Sequence, residues 1–181
     1  MEYLTDSTNA SMQGGAEFSD CGSYRYLLWR EWDRAHPTVA FLMLNPSTAD
    51  HRVTDPTIAR CLAWAVKEAF GRLEVVNLYP LRATNPNKLL QHPDPLGERA
   101  LADAAIVKAI ERASTVICAW GSHRAARERA IEVMRLLSAA GAQHKLFHLG
   151  LNHDGSPKHP LYLAASVRPG HFELRACGEG S

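Results

Sequence analysis

The sequence predicts an α/β fold with a mostly parallel sheet, and three observations carry that reading. Apolar runs recur at 38–44, 73–78, 114–120 and 145–150. Segments with apolar residues at helical spacing lie between them. Strands alternating with helices imply crossover connections and parallel pairing. Finally, each apolar run stops abruptly in small polar residues, as strands do at the carboxyl edge of open α/β sheets, where ligands bind.

In chain order, residues 1–20 are rich in Ser, Thr, Asn and Gly and read as a flexible tail. A single α/β domain is expected over 21–177. Tyr24, Tyr26 and Leu28, with Trp29 and Trp32, alternate with Arg25, Arg30 and Arg34, which predicts a strand. The run at 38–44 is a central strand. Ile58, Cys61, Leu62, Ala65 and Ala69 then mark a helix over 56–70, with Asp55 as N-cap, Pro56 at its first position and Gly71 ending it. The strand at 73–78 leads into residues 81–96, which carry Arg82, Thr84, Asn85, three prolines and Gln91-His92. A connection of that length reads as functional or as a packed structural arm. Helices follow at 97–112 and 124–140, the second stopped by Gly141, and a last strand is expected at 171–176.

Composition narrows the classes. The 181 residues allow one domain with a sizeable core, and 46% of them are hydrophobic. The formal net charge of +1 excludes a surface that is basic throughout, though not a local basic cleft. No apolar run reaches the length of a membrane span or a signal core, so a cytoplasmic protein without a membrane partner is expected. Cys21, Cys61, Cys118 and Cys177 are scattered, with no CxxC pair. Cys61 and Cys118 read as buried thiols, and neither a metal nor a cofactor is expected. Dinucleotide and P-loop glycine motifs are absent, as are HExxH and GxSxG.

The densest polar cluster follows the first central strand, as Asn45-Pro46-Ser47-Thr48-Ala49-Asp50. In a parallel sheet it would share an edge with Asn77-Leu78-Tyr79, with Trp120-Gly121-Ser122-His123, and with the loop bearing Lys158 and His159. Amide side chains suit the edge of a nucleobase, because each offers a donor beside an acceptor. A histidine N–H can stabilise a developing oxyanion. Tyr79 and Trp120 can stack on a flat ligand. Each residue also has a structural reading. The Asn45–Asp50 segment can be an ordinary strand-to-helix turn, Trp120 a core residue, His123 a helix cap and His159 a surface turn.

Several motifs together resemble one family. They are Cys21-Gly-x-Tyr-Arg-Tyr26, Leu44-Asn-Pro-Ser-Thr-Ala-Asp50, Asp55-Pro-Thr-Ile-x-Arg60, Asn77-Leu78, Arg82-Ala-Thr84, Asp94-Pro95, Ala119-Trp-Gly121 and Pro157-Lys-His-Pro-Leu-Tyr162. In order and type they are similar to the domain of unknown function 1643 family, over about residues 21–165. The motif order is also distantly similar to the uracil-DNA glycosylase superfamily. There, Leu44-Asn45-Pro46-Ser47 looks like the first motif, Asn77 stands where an Asn reads the base, Ala119-Trp120-Gly121 resembles a Leu-Trp-Gly strand end, and His159-Pro160-Leu161-Tyr162 resembles the closing motif. The chain departs from that superfamily in having Asn rather than Asp at position 45, no base-gating Tyr in the first motif, and Leu-Tyr in place of Ser-Pro in the last.

That resemblance implies a three-layer α/β/α fold with a short, mostly parallel sheet. It also implies a hydrolase of the DNA N-glycosylase type, acting on a nucleobase, modified or damaged bases included. Asn45 would position water, with Asp50 the candidate base, and His159 would hold the departing base's carbonyl. Asn77 would read the base edge. Pro46, Ser47, Thr48, Tyr79, Arg82, Trp120, Gly121, Ser122, His123 and Lys158 would complete the binding surface. The partner would be single- or double-stranded DNA, or a nucleotide, bound by a monomer. Two alternatives stand beside this: a nucleic-acid- or nucleotide-binding module without cleavage, and an enzyme acting on free nucleotides or nucleosides.

Overall fold

A computed structural model describes residues 2–9, 12–50, 52–162 and 167–173. One eight-stranded sheet organises the chain: β1 (Glu2–Asn9), β2 (Met12–Phe18), β3 (Arg25–Glu31), β4 (Thr38–Met43), β5 (Arg72–Asn77), β6 (Thr115–Cys118), β7 (Leu146–His148) and β8 (Gly170–His171), in the spatial order β1-β2-β3-β5-β4-β6-β7-β8. The helices are α1 (Pro56–Lys67), α2 (Lys88–Gln91), α3 (Arg99–Arg112) and α4 (Ala126–Ala139).

The central strands β5, β4, β6 and β7 are mutually parallel, as the alternating pattern predicts. The whole sheet is mixed, however, and neither short nor mostly parallel. Four of its pairings, β1 with β2, β2 with β3, β3 with β5 and β7 with β8, are antiparallel. Six residues between β2 and β3 are too few for a crossover helix, so those strands must run antiparallel.

The expectation of a tail over 1–20 is corrected by β1 and β2. Ala16 and Phe18 are buried in the core. Gly14 and Gly15 weaken the strand signal, yet packing requires the second of them. A Cβ on Gly15 would lie 2.5 Å from the Trp29 indole nitrogen, which crosses the strand there.

Side-chain alternation sends Val39, Phe41 and Met43 of β4 to one face, against Ile58, Cys61, Trp64 and Ala65 of α1. Ala40 and Leu42 go to the other face, against Ile106, Ala109 and Ile110 of α3 and Ala130, Val133 and Leu137 of α4. Cys61 and Cys118 are buried thiols, and burial pushes both pKa values up. Helix α1 starts as expected, with Asp55 accepting a hydrogen bond from the Ile58 N–H at 2.9 Å. It stops earlier than expected, at Lys67, and Ala69 takes the left-handed conformation. Gly71 serves a different purpose from helix termination. A Cβ there would lie 1.7 Å from the Asp33 carbonyl oxygen, so only glycine fits the approach of these two backbones. Residues 174–176 of the expected last strand lie outside the described residues.

Candidate functional site

The parallel core puts the carboxyl ends of β4, β5, β6 and β7 on one edge, and backbone bonds stitch the segments beyond them together. Leu78 and Tyr79 donate to the Met43 and Leu44 carbonyls, Ala83 to Pro46, Ala119 to Leu42, and Gly121 to Pro157. Strands β5 and β6 flank β4 on opposite sides, reached by connections that leave in opposite directions. Open sheets place their ligand crevice at such a switch.

The Asn45 amide nitrogen donates to the Pro46 carbonyl at 2.9 Å and the Ala83 carbonyl at 2.8 Å. Asn45 therefore clasps the loop after β5, which leaves its Oδ1 for a ligand. Asp50 closes its own turn: Oδ1 accepts from the Arg52 and Val53 N–H groups at 2.7 and 2.8 Å. Pro46 is buried, Ser47 is half-buried and Thr48 is exposed.

Tyr79 donates its hydroxyl to the Ala125 carbonyl at 2.9 Å, tying β5 to the start of α4. Trp120 is buried, and its ring meets Phe172 edge-on at 5.3 Å, so it is placed in the core rather than on a stacking surface. His123 accepts the Ala125 N–H at Nδ1, which leaves Nε2 to donate to Asn87 Oδ1 at 3.1 Å. His123 thus braces the turn before α4 rather than capping the helix, whose N-cap is Ala125. Ser122 is exposed, and Lys158 is held by its backbone N–H on the Gly150 carbonyl.

The 81–96 connection is a packed arm. Tyr24 donates to the Asp94 carbonyl at 2.8 Å, and its ring meets His92 edge-on. Within the arm, Arg82 donates Nη1 to the Gly22 carbonyl at 3.1 Å and lies over the Phe18 ring.

His159 sits beside Gly121, whose Cβ, if it had one, would lie 3.8 Å from the His159 Cβ. The Leu161 N–H points to His159 Nδ1 at 3.4 Å, which favours the tautomer with hydrogen on Nε2. Burial holds the imidazole pKa below its ordinary value, partly opposed by the Asp55 carboxylate. At neutral pH it is an uncharged N–H donor. The turn that follows it, Pro160–Tyr162, packs on α1.

One corner of this edge differs from the rest. Among the described residues, five buried side-chain polar atoms have no partner, and four of them are Arg25 Nε, Asn77 Nδ2, Asn77 Oδ1 and Arg82 Nε. Asn77, 4% exposed and the last residue of β5, pairs in register with Met43 of β4. A buried amide with neither half satisfied costs several kcal/mol, on the order of 1–3 for each unmade bond. Such groups call for an explanation.

Arg25 is the residue that sequence reasoning passed over. It is 2% exposed and donates Nη1 to the Ala49 carbonyl at 2.6 Å. Burial lowers its pKa to about 10. Its alternation with apolar residues predicts a strand but does not tell a buried arginine from an exposed one. The signal available was its place inside the Cys21–Tyr26 motif.

Among the described residues no group of three or more His, Cys, Asp or Glu side chains could hold a metal. Among the described residues no helix is long and apolar enough to cross a membrane. Comparison with curated proteins finds no match. A family model described as "Protein of unknown function (DUF1643)" matches residues 25–161, from Arg25 at the start of β3 to the segment after His159. The match spans most of the chain and every polar strand end described above, and the chain therefore belongs to the DUF1643 family.

Proposed function

We propose that the protein recognises a nucleobase at the carboxyl edge of its parallel core and hydrolyses the N-glycosidic bond of that base in DNA. The observation that carries the reading is the Asn77 side chain, buried at the end of β5 with its donor and its acceptor both unpartnered. A base edge with adjacent carbonyl and N–H groups satisfies both at once. The motif order similar to the uracil-DNA glycosylase superfamily supports a three-layer relationship to that fold. Helices on both faces of the sheet are compatible with it.

The chemistry follows from the neighbours. Glycosidic cleavage leaves positive character on the sugar and negative charge on the departing base. His159, neutral and with hydrogen on Nε2, donates to a carbonyl of the leaving base as that charge grows. Asn77 holds the base edge in the same orientation throughout. Asn45 offers Oδ1 to a water on the sugar side, because both its N–H groups are committed to Pro46 and Ala83. Water orientation, rather than full proton abstraction, is the contribution an amide can make.

A second reading is favoured by one observation. Asp50 spends Oδ1 on its own turn, and Asn45 spends its amide nitrogen on the loop. The site then binds a base or nucleotide without cutting it. One experiment separates the two: incubation with oligonucleotides of varied base content, followed by mass spectrometry of released bases. Release that is lost in Asn77→Leu supports the glycosylase. Binding that is lost in Asn77→Leu, with no base released by the wild type, supports the binding module.

A further inference from the structure

We propose that Arg25 and Arg82 form a subsite for a phosphate group beside Asn77, so that the ligand is a phosphorylated nucleotide unit rather than a free base or nucleoside. The inference rests on the base reading for one half of the ligand only; the anion half stands on the two arginines.

The backbone brings them together. Arg25 donates its N–H to the Pro80 carbonyl at 2.8 Å, and Arg82 donates its own to Ser23 at 2.9 Å. The start of β3 therefore runs alongside the residues that follow Asn77. Phe18, on which the Arg82 guanidinium lies at 5.0 Å, pairs in register with Arg25. Each guanidinium spends one of its five N–H groups on a backbone carbonyl, Arg25 on Ala49 and Arg82 on Gly22. The Nε of each is buried and unpartnered.

Positive charge gathers at the same place and, at Arg25 and Arg82, has no directly bonded anion among the described residues. The two arginines repel each other, and Arg30 adds to that repulsion at Arg25. Asp55 attracts Arg25 more strongly than either arginine repels it, and Asp50 adds to that attraction, but neither carboxylate hydrogen-bonds Arg25: Asp50 accepts from the Arg52 and Val53 N–H groups and Asp55 from Ile58. Among the described residues neither Arg25 nor Arg82 has a carboxylate partner. Arg129, just as buried, has Asp103 and Glu132. A buried Arg25 guanidinium beside a half-buried one whose Nε is also buried, with no anion bound to either, is costly, and a phosphate supplies the charge and several acceptor oxygens in the geometry arginine favours.

The phosphate can belong to a free mononucleotide or to an interior DNA linkage, and the test has an arm for each. Calorimetry on the full chain uses inorganic phosphate, common deoxynucleosides and deoxyuridine, their 5′-monophosphates, and single-stranded oligonucleotides without terminal phosphates. A 5′-monophosphate should bind at least about tenfold more tightly than its nucleoside if the source is free nucleotide. An oligonucleotide should show that advantage if the source is the DNA linkage. Arg82→Gln should collapse the advantage to within about twofold. Arg82→Lys, which keeps the charge and loses the planar fork, should fall between, and it serves as the test if the Gln variant does not fold.

A wild-type protein that binds nucleoside and nucleotide equally overturns the subsite and leaves the base reading intact. A phosphate advantage that survives Arg82→Gln also overturns it. An Arg82-dependent phosphate effect that persists in Asn77→Leu, without discrimination between bases, supports the subsite and removes the base reading. No binding by any of these probes overturns both.

Discussion

Strand β5 carries two buried polar side chains three residues apart, and they have opposite fates. Glu74 is 0% exposed and fully engaged: Arg72 donates Nε to Oε1 at 2.9 Å, and Arg112 donates Nη2 to Oε2 at 2.7 Å. Asn77 is 4% exposed and meets no partner. The same contrast holds for buried arginines. Arg129 binds the Leu78 carbonyl, Asp103 and Glu132, whereas Arg25 has a single backbone carbonyl. Polar groups that serve the fold are satisfied by the fold. Among the described residues, four of the five unsatisfied side-chain atoms gather at the carboxyl edge, where the parallel core converges, and the fifth is Trp64 Nε1 on α1; that difference marks the candidate site off from the scaffold.

The sharpest break of this comparison is mutational. Glu74→Ala leaves Arg72 and Arg112 without their carboxylate and should cost roughly 3–5 kcal/mol. The lower end is expected because Arg112 is half exposed and reaches water. Asn77→Leu, similar in volume, should leave stability within about 1 kcal/mol of the wild type or raise it, since no bond is lost. Denaturant melts of both variants test this. An Asn77→Leu loss as large as that of Glu74→Ala would mean that Asn77 belongs to the scaffold.

The next effect concerns chemistry. His159→Ala should slow base release by on the order of 10²-fold, the usual loss for one oxyanion donor, with little change in melting temperature. Unchanged release would remove His159 from the site.

Asn45→Ala should affect both sides of the comparison, because Asn45 is a clasp as well as a ligand candidate. Loss of its bonds to Pro46 and Ala83 should cost on the order of 1–2 kcal/mol and increase amide exchange in the 81–84 segment. Exchange confined to its wild-type rate there would show that the clasp is not needed.

The smallest effect is pH dependence. Burial lowers the pKa values of His123, His148 and His159 below the ordinary 6.5. The unfolded chain then binds more protons than the folded one just below that value, so stability falls as pH drops from about 7 toward 5. The carboxylates of Glu31, Asp33 and Asp154, with pKa values held below their ordinary ones, keep contributing until more acidic pH. Melting temperatures at pH 7.5, 6.5 and 5.5 measure the trend, and a His148→Gln variant should flatten it.

Much of this frame was legible in the sequence. The runs at 38–44, 73–78, 114–120 and 145–150 became β4, β5, β6 and β7, because alternating burial on two faces leaves a clear apolar signature. The start of α1 was legible because Asp55 and Pro56 act locally. The edge strands were not. Residues 12–18 hold two glycines whose role depends on Trp29 and Arg30 crossing above them, a contact with no local trace. Antiparallel β3 lies beside β5 and not beside β4, which follows it in the chain, and only the completed sheet determines that. At the candidate site, the sequence singles out Asn45 and Asn77 by their strand ends and His159 by the loop that follows β7. Whether an amide is spent or free depends on partners far along the chain, as Asn45 with Ala83 illustrates. The burial of Arg25 beneath Ala49 is equally non-local.

The central claim is that the Asn77 amide awaits a ligand, and its own nitrogen reports on that most directly. In ¹⁵N-labelled protein, with Asn77→Leu used to assign the signal, the Asn77 side-chain amide should shift and saturate as one nucleotide or oligonucleotide of a base panel is added. The Glu74-flanking Arg72 and Arg112 side-chain signals should stay in place. An Asn77 amide signal that does not move with any base of the panel, while binding is measurable elsewhere on the protein, would contradict the account.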